Sequence, residues 1–197
     1  MSQFIESIKV EDQKAFLLDL HQQRVRETFA HFGKECSIDL EKIFKDLEHD
    51  EDGLYKLRIV YDLEGNFRAQ MLPYAFPEIE TFELVENNDF SYDFKFADRT
   101  EFENMKKKAR AQEIIIVKNG QITDTSFSNL LFLKNQTWYT PKSFLLNGVQ
   151  RQNLLKQGII KETEITLENL NEFSHFQLIN SMNEFNQDFV YSIEELK

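Results

Sequence analysis

Apolar and polar positions alternate through "FIESIKV" (residues 4–10), which predicts a strand with one buried face. The period then lengthens. In "LHQQRVRETFAHFG" (20–33), Leu20, Val25 and Phe29 fall on one side of a helix that Gly33 stops. A second helix is predicted over 37–49, with Ser37 or Asp39 as its N-cap. The acidic turn "DEDG" that follows lacks the ligand spacing of a calcium loop and reads as a solvated connection. Alternation returns in "LYKLRIVYD" (54–62), "FRAQMLPYAF" (67–76) and "ETFELVEN" (80–87), so this part of the chain reads β-α-α-β-β-β.

From residue 89 the texture changes. An extended stretch, "FSYDFKFADR", runs into a helix that ends in "MKKKAR". Strands are predicted over 113–120, 129–135 and 137–141, then a short helix within 147–158 that Gly158 ends. A helix entering a strand at 175–179 closes the pattern. One stretch does not fit the simple alternation. Between the apolar runs "EIIIV" and "LLFL" lies "TDTSFSN" (123–129), seven residues of which six are polar. A hairpin turn needs only about two to five residues and usually a glycine. Such a cluster either satisfies the backbone of an irregular loop or presents polar groups to a ligand.

Composition narrows the classes. At 197 residues and 41% apolar, the chain can bury a sizeable core. No apolar run approaches the roughly 20 residues of a bilayer crossing, and the first residues carry no signal-peptide pattern. Cys36 is the sole cysteine, which excludes an intrachain disulfide and points to a reducing, cytoplasmic setting. A net charge of −11 argues against nucleic acid or an anionic membrane as partner. The basic run "MKKKAR" is flanked by acids and reads as a solvated helix face. The 19 phenylalanines read as core.

Common chemistry is absent at the level of motif. The histidines, His21, His31, His49 and His175, are scattered and form no metal frame, and no nucleophile elbow or phosphate-loop glycine pattern occurs. Three local features remain. At "LLNGVQRQNLL" the first amides of a helix follow Gly148, so Val149 and Gln150 either begin an ordinary capped helix or cup a phosphate. Asp124 and Asn129 bracket the polar stretch, where a carboxylate among hydroxyls is suited to a protonated ring nitrogen. Lys95 stands between Phe94 and Phe96, either as a surface lysine or as an amine able to form a Schiff base.

The order of these features is more specific than any one of them. A strand arginine (Arg58), then Lys95, "ITDTSFSNLLF", "TWYTP", "LLNGVQRQ" and "INSMNEF" occur in the sequence of one family. The chain resembles the class IV, or fold-type IV, pyridoxal-phosphate enzymes, which include branched-chain and D-amino-acid aminotransferases and aminodeoxychorismate lyase. The likeness is strongest from residue 95 to 183. It is visible at the start in "FIESIKV" and "LLDLHQQRVR".

The resemblance implies an α+β, two-domain architecture, with a trimmed N-terminal α/β domain (1–88) and a β-rich cofactor-binding domain (89–197). It implies pyridoxal 5'-phosphate as cofactor, with Lys95 as the catalytic lysine. Asp124 is then the acid at the pyridine nitrogen and Asn129 lies in the same motif. Arg58, Gly148, the amides of Val149 and Gln150, and Ser181 are then the phosphate contacts. The Lys95/Arg99 spacing and "NGVQRQ" resemble the lyase branch. Two departures stand out: the family usually has glutamate where this chain has Asp124, and the N-terminal part is several dozen residues shorter than in fuller members. The expected activity is release of pyruvate from aminodeoxychorismate to leave 4-aminobenzoate for folate synthesis. An amino-acid aminotransferase and a non-catalytic relative are the alternatives. A small-molecule amino substrate and a homodimer are expected, with no metal, nucleic acid or membrane.

Overall fold

The strand predicted at the start is β1 (Phe4–Glu11). In a computed structural model that describes residues 2–48, 52–186 and 189–196, it lies inside an antiparallel sheet ordered β2-β1-β3-β4. The two-residue β2 (Lys14–Ala15) follows it and was not foreseen, being too short to show a period. Helix α1 (Leu18–His31) packs on the sheet, and α2 (Leu40–Asp46) is shorter than expected. Asp39 is its N-cap, accepting from the Lys42 amide at 3.0 Å, so Ser37 lies outside the helix. The expected end of that helix at His49 and part of the "DEDG" turn lie outside the described residues. Strands β3 (Leu54–Tyr61) and β4 (Phe67–Pro73) complete the sheet as predicted. Phe4, Ile8, Val10, Val25, Phe29, Leu57, Ile59 and Tyr61 form its core.

The chain divides into two compact units: residues 1–76 with 94–98, and residues 77–93 with 99–197. The crossing therefore falls near residue 76, earlier than the boundary drawn at 88. Strand β5 (Phe82–Glu86) does not extend the first sheet; it pairs in parallel with β6 (Glu113–Lys118). Residues 94–98 return to the first unit. There the Ile5 amide donates to the Lys95 carbonyl (2.9 Å) and the Ala97 amide to the Gln3 carbonyl (2.8 Å). The segment is not the regular strand that the alternation suggested: only Phe96 forms a bridge, to Phe4, and the rings of both Phe94 and Phe96 pack on Phe4.

In the second unit, helix α3 (Thr100–Lys108) precedes β6. Strands β6 and β7 (Gln121–Thr125) form a hairpin whose turn, Asn119–Gly120, has both φ angles positive (51° and 74°), the geometry a tight two-residue hairpin favours. Strand β8 (Asn129–Lys134) belongs to a different sheet, ordered β10-β9-β8-β11-β12. The polar stretch is thus no turn between paired strands. Its first residues end β7, and its last carry the chain around a corner from one sheet to another. Strand β9 (Thr137–Pro141), helix α4 (Val149–Lys156) and strand β10 (Lys161–Thr163) follow, with Gly158 at φ +69° past the helix end as expected. The helix predicted before β11 (His175–Ile179) is a single 3-10 turn at Leu170–Glu172. The two-residue β12 (Tyr191–Ser192) closes the sheet. No helix among the described residues is long and apolar enough to cross a membrane.

Candidate functional site

The residues singled out in the sequence fall in both units, Arg58 and Lys95 in the first and the rest in the second. In the first unit, β1 and β3 pair with Glu6 opposite Ile59 and Ser7 opposite Arg58. Residues paired across an antiparallel ladder share a face. Glu6 and Ile59 are fully buried, with Glu6 against α1, so Ser7 and Arg58 point to the other side of the sheet. On the α1 side, Glu6 accepts two hydrogen bonds from the Arg24 guanidinium and one, at 2.5 Å, from His21 Nδ1. Burial pushes the Glu6 carboxyl up, but the Arg24 charge and the His21 contacts outweigh it and hold the acid at about 2.

His21 goes the other way. Burial lowers its pKa, and the charges of Arg24 and Lys95 add to that effect against the pull of Glu6. The imidazole is therefore neutral, and its contact with Glu6 is a hydrogen bond from Nδ1–H rather than an ion pair. Nε2 is then a bare acceptor, buried and with no hydrogen-bond partner among the described residues. Lys95 belongs to the same unit, and its charge is among the causes that lower His21. Strand alternation puts Arg58 on the face opposite Glu6 and Ile59. Arg24 is a buried arginine that sequence reasoning did not single out. A signal existed, since His21 and Arg24, spaced i, i+3, share the buried side of α1 with Val25, Thr28 and Phe29.

In the second unit, every polar residue of the corner is buried and each is bonded, while the apolar Phe127 is half-buried. Thr123 donates to the Ile116 carbonyl (2.7 Å), and Thr125 Oγ1 accepts from the Ser128 amide (2.9 Å). Glu113 accepts from the Ser126 amide (3.0 Å), and Arg99 donates to the Ser126 carbonyl. Arg99 also stacks on Phe102 at 4.4 Å, so its guanidinium is committed to holding this corner. Asn180 donates to Ser128 Oγ (2.9 Å) and accepts from the Met182 and Asn183 amides (2.8 Å each), which shapes the turn that carries the half-buried Ser181.

Asp124 is the hub. It is 5% exposed; Oδ2 accepts from the Leu145 amide (3.0 Å) and the Leu146 amide (2.9 Å), while Oδ1 accepts from Asn129 Nδ2 (2.8 Å). Burial raises its pKa to about 6 against the lowering effect of those donors and of the Arg151 charge. Asn129 Nδ2 also donates to the Leu146 carbonyl (2.8 Å). Its amide orientation is thereby fixed, with Oδ1 turned toward Gly148. A Cβ at Gly148 would lie 2.1 Å from that oxygen, so glycine is required there by a side chain of this protein. Gly148 is also the N-cap of α4 and supplies no capping side chain, although Val149, Gln150 and Arg151 are all buried. A buried helix start without a cap leaves amides that a bound anion can satisfy. Asp124, Asn129, Gly148, Val149 and Gln150 are thus brought together, with the Ser181 turn tied on through Ser128.

Comparison with known proteins identifies the family and fold. Residues 3–186 match the family model described as amino-transferase class IV. An uncharacterised protein of Haemophilus influenzae is 30% identical over 187 residues, covering 93% of this chain and 99% of its own length. Among solved structures, a protein of Haemophilus somnus provisionally named 4-amino-4-deoxychorismate lyase is 34% identical with a TM-score of 0.87, over 94% of this chain and 98% of that one. A protein of Mesorhizobium loti provisionally named an amino-acid aminotransferase has a TM-score of 0.80 at 18% identity, over 93% and 97% of the two chains, a likeness of fold.

Proposed function

Because this chain belongs to the amino-transferase class IV family, whose members generally depend on pyridoxal phosphate, we propose that it is a lyase releasing pyruvate from aminodeoxychorismate and leaving 4-aminobenzoate. The observation that carries cofactor binding is the buried, uncapped start of α4 behind Gly148. It fits a phosphate dianion by charge and by hydrogen-bond capacity. The lyase reading draws on the 34% identity to the Haemophilus somnus protein, over nearly the whole of both chains.

When bound, the cofactor supplies an electron-withdrawing ring on which a substrate carbanion can be stabilised. The chain's own residues do the rest. The Lys95 amine would hold the cofactor and could carry a proton to and from the reacting carbon of the substrate. The amides of Val149 and Gln150, with Ser181, hold the phosphate. Arg58 is proposed to offset anionic charge, since the Arg24 charge in the same unit is already paired with Glu6. Asp124 Oδ2 is filled by two amides, while Oδ1 has one donor and keeps acceptor capacity for a protonated ring nitrogen. A homodimer is proposed with this reading, and a monomeric mass at micromolar concentration would contradict it.

The test is direct. Purified protein loaded with pyridoxal phosphate is incubated with aminodeoxychorismate, and separately with amino-acid and 2-oxo-acid pairs. Pyruvate and 4-aminobenzoate should form in equal amounts from the first. No pyruvate there, with amino-group exchange in the second, would replace the lyase reading by an aminotransferase.

A further inference from the structure

Arg151 is the third residue of α4, almost fully buried, and its guanidinium is spread over three partners. Nη1 donates to Asn147 Oδ1 (3.0 Å), and Nη2 donates to the Pro141 carbonyl (3.1 Å) and to the Glu162 carboxylate. Phe144, 39% exposed, lies over its plane at 4.4 Å. Nε is buried without a partner among the described residues, so the orientation of the fork is set by the other nitrogens at some cost.

These contacts complete a pattern along residues 141–148. The Pro141 carbonyl is held by Arg151, and the Lys142 amide donates to the Thr163 carbonyl (2.9 Å). Ser143 Oγ donates to the Ile122 carbonyl (2.8 Å), and the Leu145 and Leu146 amides are on Asp124. Asn147 is held by Arg151, and Gly148 abuts Asn129. Each residue but Phe144 is tied by the main chain or a side chain, and Phe144 stacks on Arg151. The segment is clamped from two sides, by Asp124 and by Arg151, directly before the amides that begin α4.

We propose that Arg151 is a positioning residue that sets the place of the Val149 and Gln150 amides, acting through the geometry of its fork and not through its charge. The charge is paired with Glu162 and also bears on Asp124, but only the fork joins Pro141 and Asn147, near the two ends of the segment. Lysine at this position keeps the charge but offers one nitrogen where two are used. The inference rests on the cofactor reading above.

The experiment uses the full-length protein as wild type, Arg151→Lys and Arg151→Met, each checked for a cooperative thermal transition. Pyridoxal phosphate binding is followed by absorbance, and amide hydrogen exchange at Leu145 and Leu146 is measured in cofactor-free protein. Both variants should bind the cofactor roughly tenfold more weakly, the worth of one charge-assisted hydrogen bond, and both should exchange faster at those amides. Lysine should rescue neither effect. Wild-type affinity in Arg151→Lys would overturn the proposal in favour of a charge effect. Unchanged binding or unchanged exchange in both variants would overturn it outright. If wild type itself fails to bind pyridoxal phosphate, the functional reading falls, and the exchange data still decide whether Arg151 holds the segment.

Discussion

Gly148→Ala isolates the local geometry on which the second unit's site depends. At φ −65° the backbone of Gly148 accepts alanine without strain, so a change there would be neutral or slightly stabilising if the space were open. The space is not open, since the new Cβ would sit 2.1 Å from Asn129 Oδ1. Asn129 must then turn away, which breaks its bonds to the Asp124 carboxylate and the Leu146 carbonyl. A bond to a charged acceptor contributes about 2 kcal/mol and one to a carbonyl about 1 kcal/mol, so the loss is about 3 kcal/mol. Asn129→Ala removes the same two bonds and should cost about the same. In the double variant the two alanines no longer collide, and the total should remain near 3 kcal/mol instead of the additive sum of about 6 kcal/mol. Urea unfolding of the four proteins, with m-values compared to confirm a common unfolding transition, provides the cycle. A Gly148→Ala cost below about 1 kcal/mol, or additivity in the double variant, would refute the claim that Gly148 exists to admit Asn129.

Two further outcomes concern the buried acids. Asp124 keeps its proton up to about 6 in the folded chain, against an ordinary 3.8. The folded state therefore binds more protons between these values, and the contribution of Asp124 to stability is present below 3.8 and lost as pH rises through 6. A difference of 6 − 3.8 = 2.2 corresponds to about 3 kcal/mol. Unfolding free energies measured from pH 4 to 7 should show this decline in wild type and not in Asp124→Asn, and parallel curves would contradict it. Glu6 has the opposite sign: held at about 2 against 4.5, it contributes stability above 4.5 that is lost as pH falls toward 2. Glu6→Gln, which leaves the buried Arg24 charge uncompensated, should destabilise the chain by about 3–5 kcal/mol at pH 7 by urea unfolding, and a change below about 1 kcal/mol would contradict that.

Regular elements with a one-sided apolar pattern were legible: β1, α1, β3, β4 and β11 follow from period alone, and Gly158 marks the end of α4 as its position suggested. What the pattern hid was polar burial. "TDTSFSN" reads as a loop because its residues are polar, yet Asp124, Ser128 and Asn129 are buried, with bonds to groups such as Leu145, Leu146 and Asn180. Those partners lie far along the chain, and no local period reports them. The same blindness affected α1, where Leu20, Val25 and Phe29 were taken as the inner stripe while His21 and Arg24 were the buried polar residues. A strand arginine such as Arg58 carries no sign of which face it occupies until the register with β1 is known. Asp124, Asn129 and Gly148 were named from motif order, but their mutual contacts required the fold.

The central claim is that the amine of Lys95 holds pyridoxal phosphate. Wild-type protein is incubated with the cofactor, reduced with borohydride, digested and analysed by mass spectrometry. The account predicts a stoichiometric pyridoxyl-phosphate mass on the peptide containing Lys95 and none in Lys95→Ala. No adduct at that peptide, or an equal adduct on another lysine that persists in the variant, would contradict it.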